Sequence, residues 1–201
     1  MLRLYDYPSS GNGYKVRLLL ALLGTAYERV DLDIEKGETH TADFLARNPN
    51  GKIPVLELED GTALPESNAI LWYLAEGTSY LPEGRLERAQ VLRWMFFEQY
   101  SHEPYVAVAR FILMHPGMAR GQAPLLREKQ DRGYQALGVM EGHLAGRAFF
   151  VGESLSVADI ALYAYTHVAE EGGFDLGRFP ALTAWLARVA RTPGYVPITA
   201  V

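Results

Sequence analysis

The chain has 201 residues, 49% of them hydrophobic and 21% charged, so it can bury a sizeable core as one large domain or two small ones. Its 19 Lys and Arg against 24 Asp and Glu give a formal net charge of -5, which leaves no cationic surplus for nucleic acid. Cysteine is absent, which excludes disulfides, thiolate nucleophiles and zinc-thiolate sites, so any sulfur chemistry must use sulfur brought in by a ligand.

The chain opens on a strand pattern, Leu2 to Tyr5, with no basic segment and apolar run of a secretory signal ahead of it. Nowhere do about 18 apolar residues run uninterrupted, and the expectation is a soluble, cytoplasmic protein without a membrane partner. The stretch PSSGNGYKVRLLL follows; its Ser, Gly and Asn read as a turn, and Tyr14 to Leu23 as a helix ended by Gly24. Val30, Leu32 and Ile34 alternate with Asp31 and Asp33, predicting a second strand and hence a β-α-β opening. A short helix around Thr41 to Arg47 comes next, then strands Val55 to Leu58 and Thr62 to Leu64 joined by the tight-turn dipeptide Asp60-Gly61. Ser67 to Ala75 closes this region as a helix.

After Gly77 the pattern changes. Thr78 to Arg85 reads as a linker, packed through Tyr80 and Leu81, and separates a region of residues 1–77 from an all-helical region of residues 86–201. Helices are expected over Leu86 to about Met114, Pro124 to Leu144, Val157 to Glu171 and Pro180 to Ala190. Pro116-Gly117, Gly146, Gly152, Gly172-Gly173 and Pro193-Gly194 break them. Ser156 and Asp159 have the spacing of a capping box, with Leu155 and Ile160 placed for a hydrophobic staple. Asp159 is therefore a folding residue rather than a catalytic one.

Several residues can carry chemistry. Ile53-Pro54 heads a strand, where proline removes a ladder donor; a cis bond there would leave Ile53 backbone groups to pair with an extended, peptide-like ligand. Without a ligand it is a strand-start proline and nothing more. Glu66 and Ser67 begin a helix, where unpaired N–H groups and the dipole attract a carboxylate and Glu66 could hold an ammonium group; the same pair also suits simple capping. The five histidines show no i, i+4 pairing and no clustering with carboxylates at metal-site spacing, so no metal is expected. GNGYK is no phosphate loop and no G-x-S-x-G elbow occurs.

Taken together, the strand, SSGNGYKVRLLL, NPNGKIPVL, LPESNAILWYLAE and, in the helical half, SLSVADI resemble the glutathione S-transferase family over essentially the whole chain. The resemblance implies a thioredoxin-like α/β first domain that binds glutathione as cosubstrate, and an all-α second domain that supplies an apolar pocket for an electrophile. It implies that Ile53 before Pro54 pairs with the cysteinyl backbone of glutathione, and that Glu66 and Ser67 hold its γ-glutamyl end. Lys52 and His40 would lie near its glycine carboxylate. In bacterial members that resemble this chain a hydroxyl residue and an asparagine two positions on activate the thiol, which points to Ser10 and Asn12; Ser9 is the alternative at this register, with Tyr5 and Tyr7 behind it. Hydrogen bonds donated to the thiolate at a helix start lower the thiol pKa from about 8.5. Gly11 and Gly13 would let the backbone turn and approach the sulfur.

Trp94, Phe96, Phe97, Tyr100, Tyr105 and Phe111 make the expected long helix aromatic, with Tyr163 and Tyr165 later; most belong to the core. Tyr105, Arg110 and Phe111 are the candidates for lining the electrophile pocket. The resemblance also implies a homodimer and a role in detoxification. Two further readings stay open: a glutathione-dependent disulfide or peroxide reductase, and a non-catalytic transferase-like binding or assembly module.

Overall fold

The computed structural model describes residues 1–115 and 121–200, which form two compact units. The first comprises Met1–Gly77 together with residues 192–200; the second is Thr78–Arg191. Pro116-Gly117, expected to break a helix, lies outside the described residues.

The first unit is built on a four-stranded sheet in the order β2-β1-β3-β4. Strand β1 (Leu2–Asp6) runs parallel to β2 (Tyr27–Asp31) and antiparallel to β3 (Val55–Glu57), which pairs antiparallel with β4 (Ala63–Pro65). Because strand side chains alternate between faces, neighbours on β1 serve different cores. Leu4 joins Leu56, Val16, Leu20 and Ile70 on the face covered by α1 (Gly11–Leu22) and α3 (Ser67–Ala75). Tyr5 packs with Val55 and Phe44 on the face covered by α2 (Ala42–Arg47).

Two elements of this unit start three residues earlier than read in the sequence. Helix α1 starts at Gly11 rather than Tyr14, because Ser10 caps it and Gly11 and Gly13 are its first-turn residues rather than turn residues. Strand β2 occupies 27–31 instead of 30–34: its register on β1 runs from Leu2↔Tyr27 to Asp6↔Asp31 and stops where β1 stops. Leu32 still donates its N–H to the Asp6 carbonyl and packs on the Tyr5 side.

Residues 192–200 return to the start of the chain. Tyr14 donates its hydroxyl to the Val196 carbonyl (2.8 Å), and Arg17 donates to the Ile198 carbonyl (2.8 Å).

The second unit is helical: α4 (Arg85–Phe97), α5 (Glu103–Met114), α6 (Ala123–Leu144), α7 (Val157–Thr166) and α8 (Pro180–Val189). The single helix expected over 86–114 is two helices joined by a π turn, Glu98–His102. Pro104 accounts for the position of the break, since it has no N–H to give and is at ease only in a helix's first turn, where α5 places it. Buried His102 ties this turn to α7 through Thr166 Oγ1 at 3.0 Å. Helix α7 is also shorter than expected: it ends at Thr166, and a 3-10 turn, Ala169–Gly172, leads to Gly173 in the left-handed region.

The capping box forms as its spacing dictates. Asp159 Oδ2 accepts from the Ser156 backbone N–H (3.0 Å) and hydroxyl (2.9 Å), while Oδ1 accepts from Phe150 N–H and Trp185 Nε1. A first-turn donor of α7, the Val157 N–H, is taken by the Tyr80 carbonyl of the packed linker. Trp94 is buried against Phe97, His143 and Phe150, whereas Phe96 and Tyr100 are exposed. Among the described residues no helix is long and apolar enough to cross a membrane.

Candidate active site

The sheet topology gathers one end of four segments. The C-terminal end of β1 leads into the turn before α1; β3 is antiparallel to β1, so its N-terminal end, Ile53-Pro54, lies beside that turn. Val55 opposes Pro65 across the β3-β4 hairpin, which sets Ile53-Pro54 next to Glu66-Ser67 at the start of α3. Ser10, Asn12, Ile53, Pro54, Glu66 and Ser67 are thus brought to one edge of the first unit.

Ser10 is the N-cap of α1. Its backbone is extended and its hydroxyl oxygen accepts from Gly13 N–H at 3.1 Å, an arrangement worth about 1 kcal/mol of helix stability. The cap uses a lone pair and leaves the hydroxyl proton to be donated. Asn12 stands in the first turn, half-buried, and its Oδ1 accepts from Ser67 Oγ at 3.2 Å. Ser9 sits in the preceding turn with Pro8. That turn is held from below by Arg17, whose guanidinium donates to the Pro8 carbonyl (2.8 Å) and places Nε 2.8 Å from Asp6 Oδ2. Burial pushes the Asp6 carboxyl up to about 6, against the opposing pull of Arg17.

Gly13 has a steric role that the sequence did not show. Neither Gly11 nor Gly13 has a positive φ; Gly13 is required because any Cβ there would overlap the Asp6 carboxylate. The Ile53-Pro54 bond is cis. Glu66 is exposed and has φ 71°, ψ 107°, a left-handed-side conformation that is strained for a side chain with a Cβ and is found where a site over-determines it. Ser67, by contrast, is buried; its hydroxyl accepts from Lys15 Nζ at 3.3 Å.

His40 and Lys52 are both exposed. The structure brings them close: the His40 ring lies against Gly51, the residue before Lys52, and Gly51 has a positive φ. The carbonyl of Lys52 accepts from Asn48 Nδ2 at 2.7 Å, which fixes the loop entering β3.

In the second unit Tyr105, Arg110 and Phe111 all lie on α5 but on different faces. Tyr105 is flanked by Lys129 and Arg132 of α6, its ring centre 5.2 and 5.7 Å from their cationic groups. Arg110 pairs with Glu171 at 2.6 Å, and Phe111 stacks on His115. The sequence reading missed Lys15, Arg17 and Asp6. The signal present was two cations inside the run Tyr14 to Leu20, whose other members are Tyr14, Val16 and Leu18 to Leu20, all buried.

Residues 1–76 match the family model described as "Glutathione S-transferase, N-terminal domain", and residues 94–193 match "Glutathione S-transferase, C-terminal domain". A crystal structure of a glutathione S-transferase from Pseudomonas fluorescens is 55% identical, with a TM-score of 0.97 over 99% of both chains. The yeast protein Ure2p in complex with glutathione is 26% identical with a TM-score of 0.85, covering 96% of this chain and 90% of that one. The disulfide-bond oxidoreductase YfcG of Escherichia coli is 32% identical over 96% of this chain and 92% of its own length.

Proposed function

We propose that this chain, which belongs to the glutathione S-transferase family, binds glutathione at the gathered edge of its first unit and lowers the pKa of its thiol, so that the thiolate attacks a hydrophobic electrophile. The observation that carries this reading is the pairing of Ser10, capping α1, with Asn12, held by Ser67 at the start of α3. Ser10 Oγ–H and the Asn12 amide are donors beside a helix N-terminus, and each bond to the anion, with the helix dipole, favours the ionised thiol. The sulfur pair then forms the new S–C bond while the electrophile's leaving group departs with its bonding electrons.

The tripeptide is read onto the site from its chemistry. Glu66 takes the γ-glutamyl ammonium, and the first-turn N–H groups of α3, which have no carbonyl ahead of them within the helix, take its carboxylate. Ile53 offers its backbone to the cysteinyl unit, and Lys52 with His40 meets the glycine carboxylate. The glutathione held by Ure2p supports the ligand assignment.

The test is the ultraviolet absorbance of the thiolate, titrated with and without saturating protein. A lowered apparent pKa is expected, and Ser10→Ala with Asn12→Ala should reduce turnover on an aromatic halide at least about tenfold, the equivalent of one pKa unit, while changing glutathione affinity less. Binding with no shift leaves a binding module in place of an enzyme. The likeness to YfcG favours a second reading, reduction of a mixed disulfide; with no cysteine in the chain, two glutathione molecules would supply both sulfurs. Relative rates on a disulfide and an aromatic halide separate the two. A second copy of the chain is the proposed protein partner, because Leu92, Phe96 and Tyr100, four residues apart along α4 and the π turn, form an exposed apolar stripe.

A further inference from the structure

A buried lysine donates into the hydrogen bonds that reach Asn12. Lys15 is fully buried three residues after Asn12, on the same side of α1, and its Nζ donates to Ser67 Oγ at 3.3 Å. An ammonium has three donors and no acceptor. Ser67 therefore takes that bond on a lone pair and keeps its own proton to give, and it gives it to Asn12 Oδ1 at 3.2 Å. The carbonyl end of the Asn12 amide is held toward α3, and the NH2 end points the other way.

We propose that Lys15 sets the polarity of this chain of hydrogen bonds and thereby makes Asn12 a donor toward the reacting sulfur. The inference rests on the thiol-activating role given to Asn12 above. An asparagine's two ends have nearly the same shape, and only its partners decide which end faces which way. Were the amide reversed, a carbonyl lone pair would face the thiolate, and the thiol pKa would rise instead of falling. Burying a lysine is costly unless its ammonium meets polar partners, and the Ser67 hydroxyl oxygen is such a partner of Lys15. Lys15 does not touch the sulfur in this scheme. It is a positioning residue, acting through Ser67 on Asn12.

The measurement is the apparent pKa of protein-bound glutathione, by thiolate absorbance, in the wild type and in Lys15→Met, Lys15→Arg, Ser67→Ala, Asn12→Ala and the Lys15→Met/Asn12→Ala double variant. Lys15→Met and Ser67→Ala should each lose most of the shift, an about tenfold fall in thiolate fraction at neutral pH for each pKa unit lost. Lys15→Arg, also donor-only, should keep more of the shift than Lys15→Met. The decisive comparison is the double variant: Lys15→Met should add nothing once Asn12 is alanine, since there is no amide left to orient. Additive losses would show Lys15 acting through its own charge and overturn the relay, as would an unchanged pKa in Lys15→Met. Where Lys15→Met does not fold, Ser67→Ala breaks the same chain by removing one hydroxyl, and a retained shift there overturns the proposal equally. A wild type that binds glutathione without any shift is a different failure, that of the thiol-activation reading itself.

Discussion

A methyl group added at Gly13 would overlap the Asp6 carboxylate, and that carboxylate cannot retreat, because it is buried and paired with Arg17. Gly13→Ala should therefore cost about 3 kcal/mol, as overpacking at a fixed site does, and lower the melting temperature measurably. Gly138, exposed on α6 with nothing within reach of an added Cβ, supplies the opposite case: Gly138→Ala should raise stability by about 0.5–1 kcal/mol. Equal effects of the two would show that the Asp6 contact is soft. Both glycines look alike in the sequence. What separates them is a partner on another element, and the same holds for Lys15, whose contact with Ser67 spans 52 positions.

Elements were legible where their signals are local. The capping box of α7 lies within four residues, Ser156 to Asp159, and it formed with every bond its spacing implied. The start of α3 at Ser67 and the Asp60-Gly61 hairpin could be read for the same reason. Strand β2 could not be placed, since its limits are set by β1 rather than by its own alternation. The π turn before Pro104 was hidden because Glu98–His102 carries neither glycine nor proline to mark a break, and Pro104 itself falls in the first turn of the helix that follows. The residue that caps the C-terminal end of α7, His167, is pH-sensitive. Burial holds the His167 imidazole down to about 4, with Arg110 disfavouring and Glu171 favouring its charged form. A folded value below the ordinary 6.5 means that this contribution to stability is complete above pH 6.5 and is lost as pH falls toward 4. Between pH 7 and 4.5 the melting temperature of His167→Gln should fall less than that of the wild type, as read by circular dichroism. Parallel curves would remove His167 from the account of acid sensitivity.

At the scale of the whole molecule, the exposed stripe on α4 makes oligomeric state a direct readout. Sedimentation should give twice the 22.4 kDa chain mass, and Phe96→Asp with Tyr100→Asp should halve it, since charge at the centre of an apolar contact is strongly disfavoured. A wild-type monomer would remove the second copy as partner. The return of residues 192–200 to Tyr14 and Arg17 has another result. In chain topology the helical unit is an insertion within the first unit, whose parts on either side of it must meet before that unit is complete. When 78–191 is unfolded, joining those parts means closing a long loop, an entropic cost that rises with the logarithm of its length. A folded insert already holds its two ends at the native separation and removes that cost. The second unit thereby stabilises the first through connectivity alone, and a single cut between 191 and 192 should uncouple their unfolding even if every other contact survives.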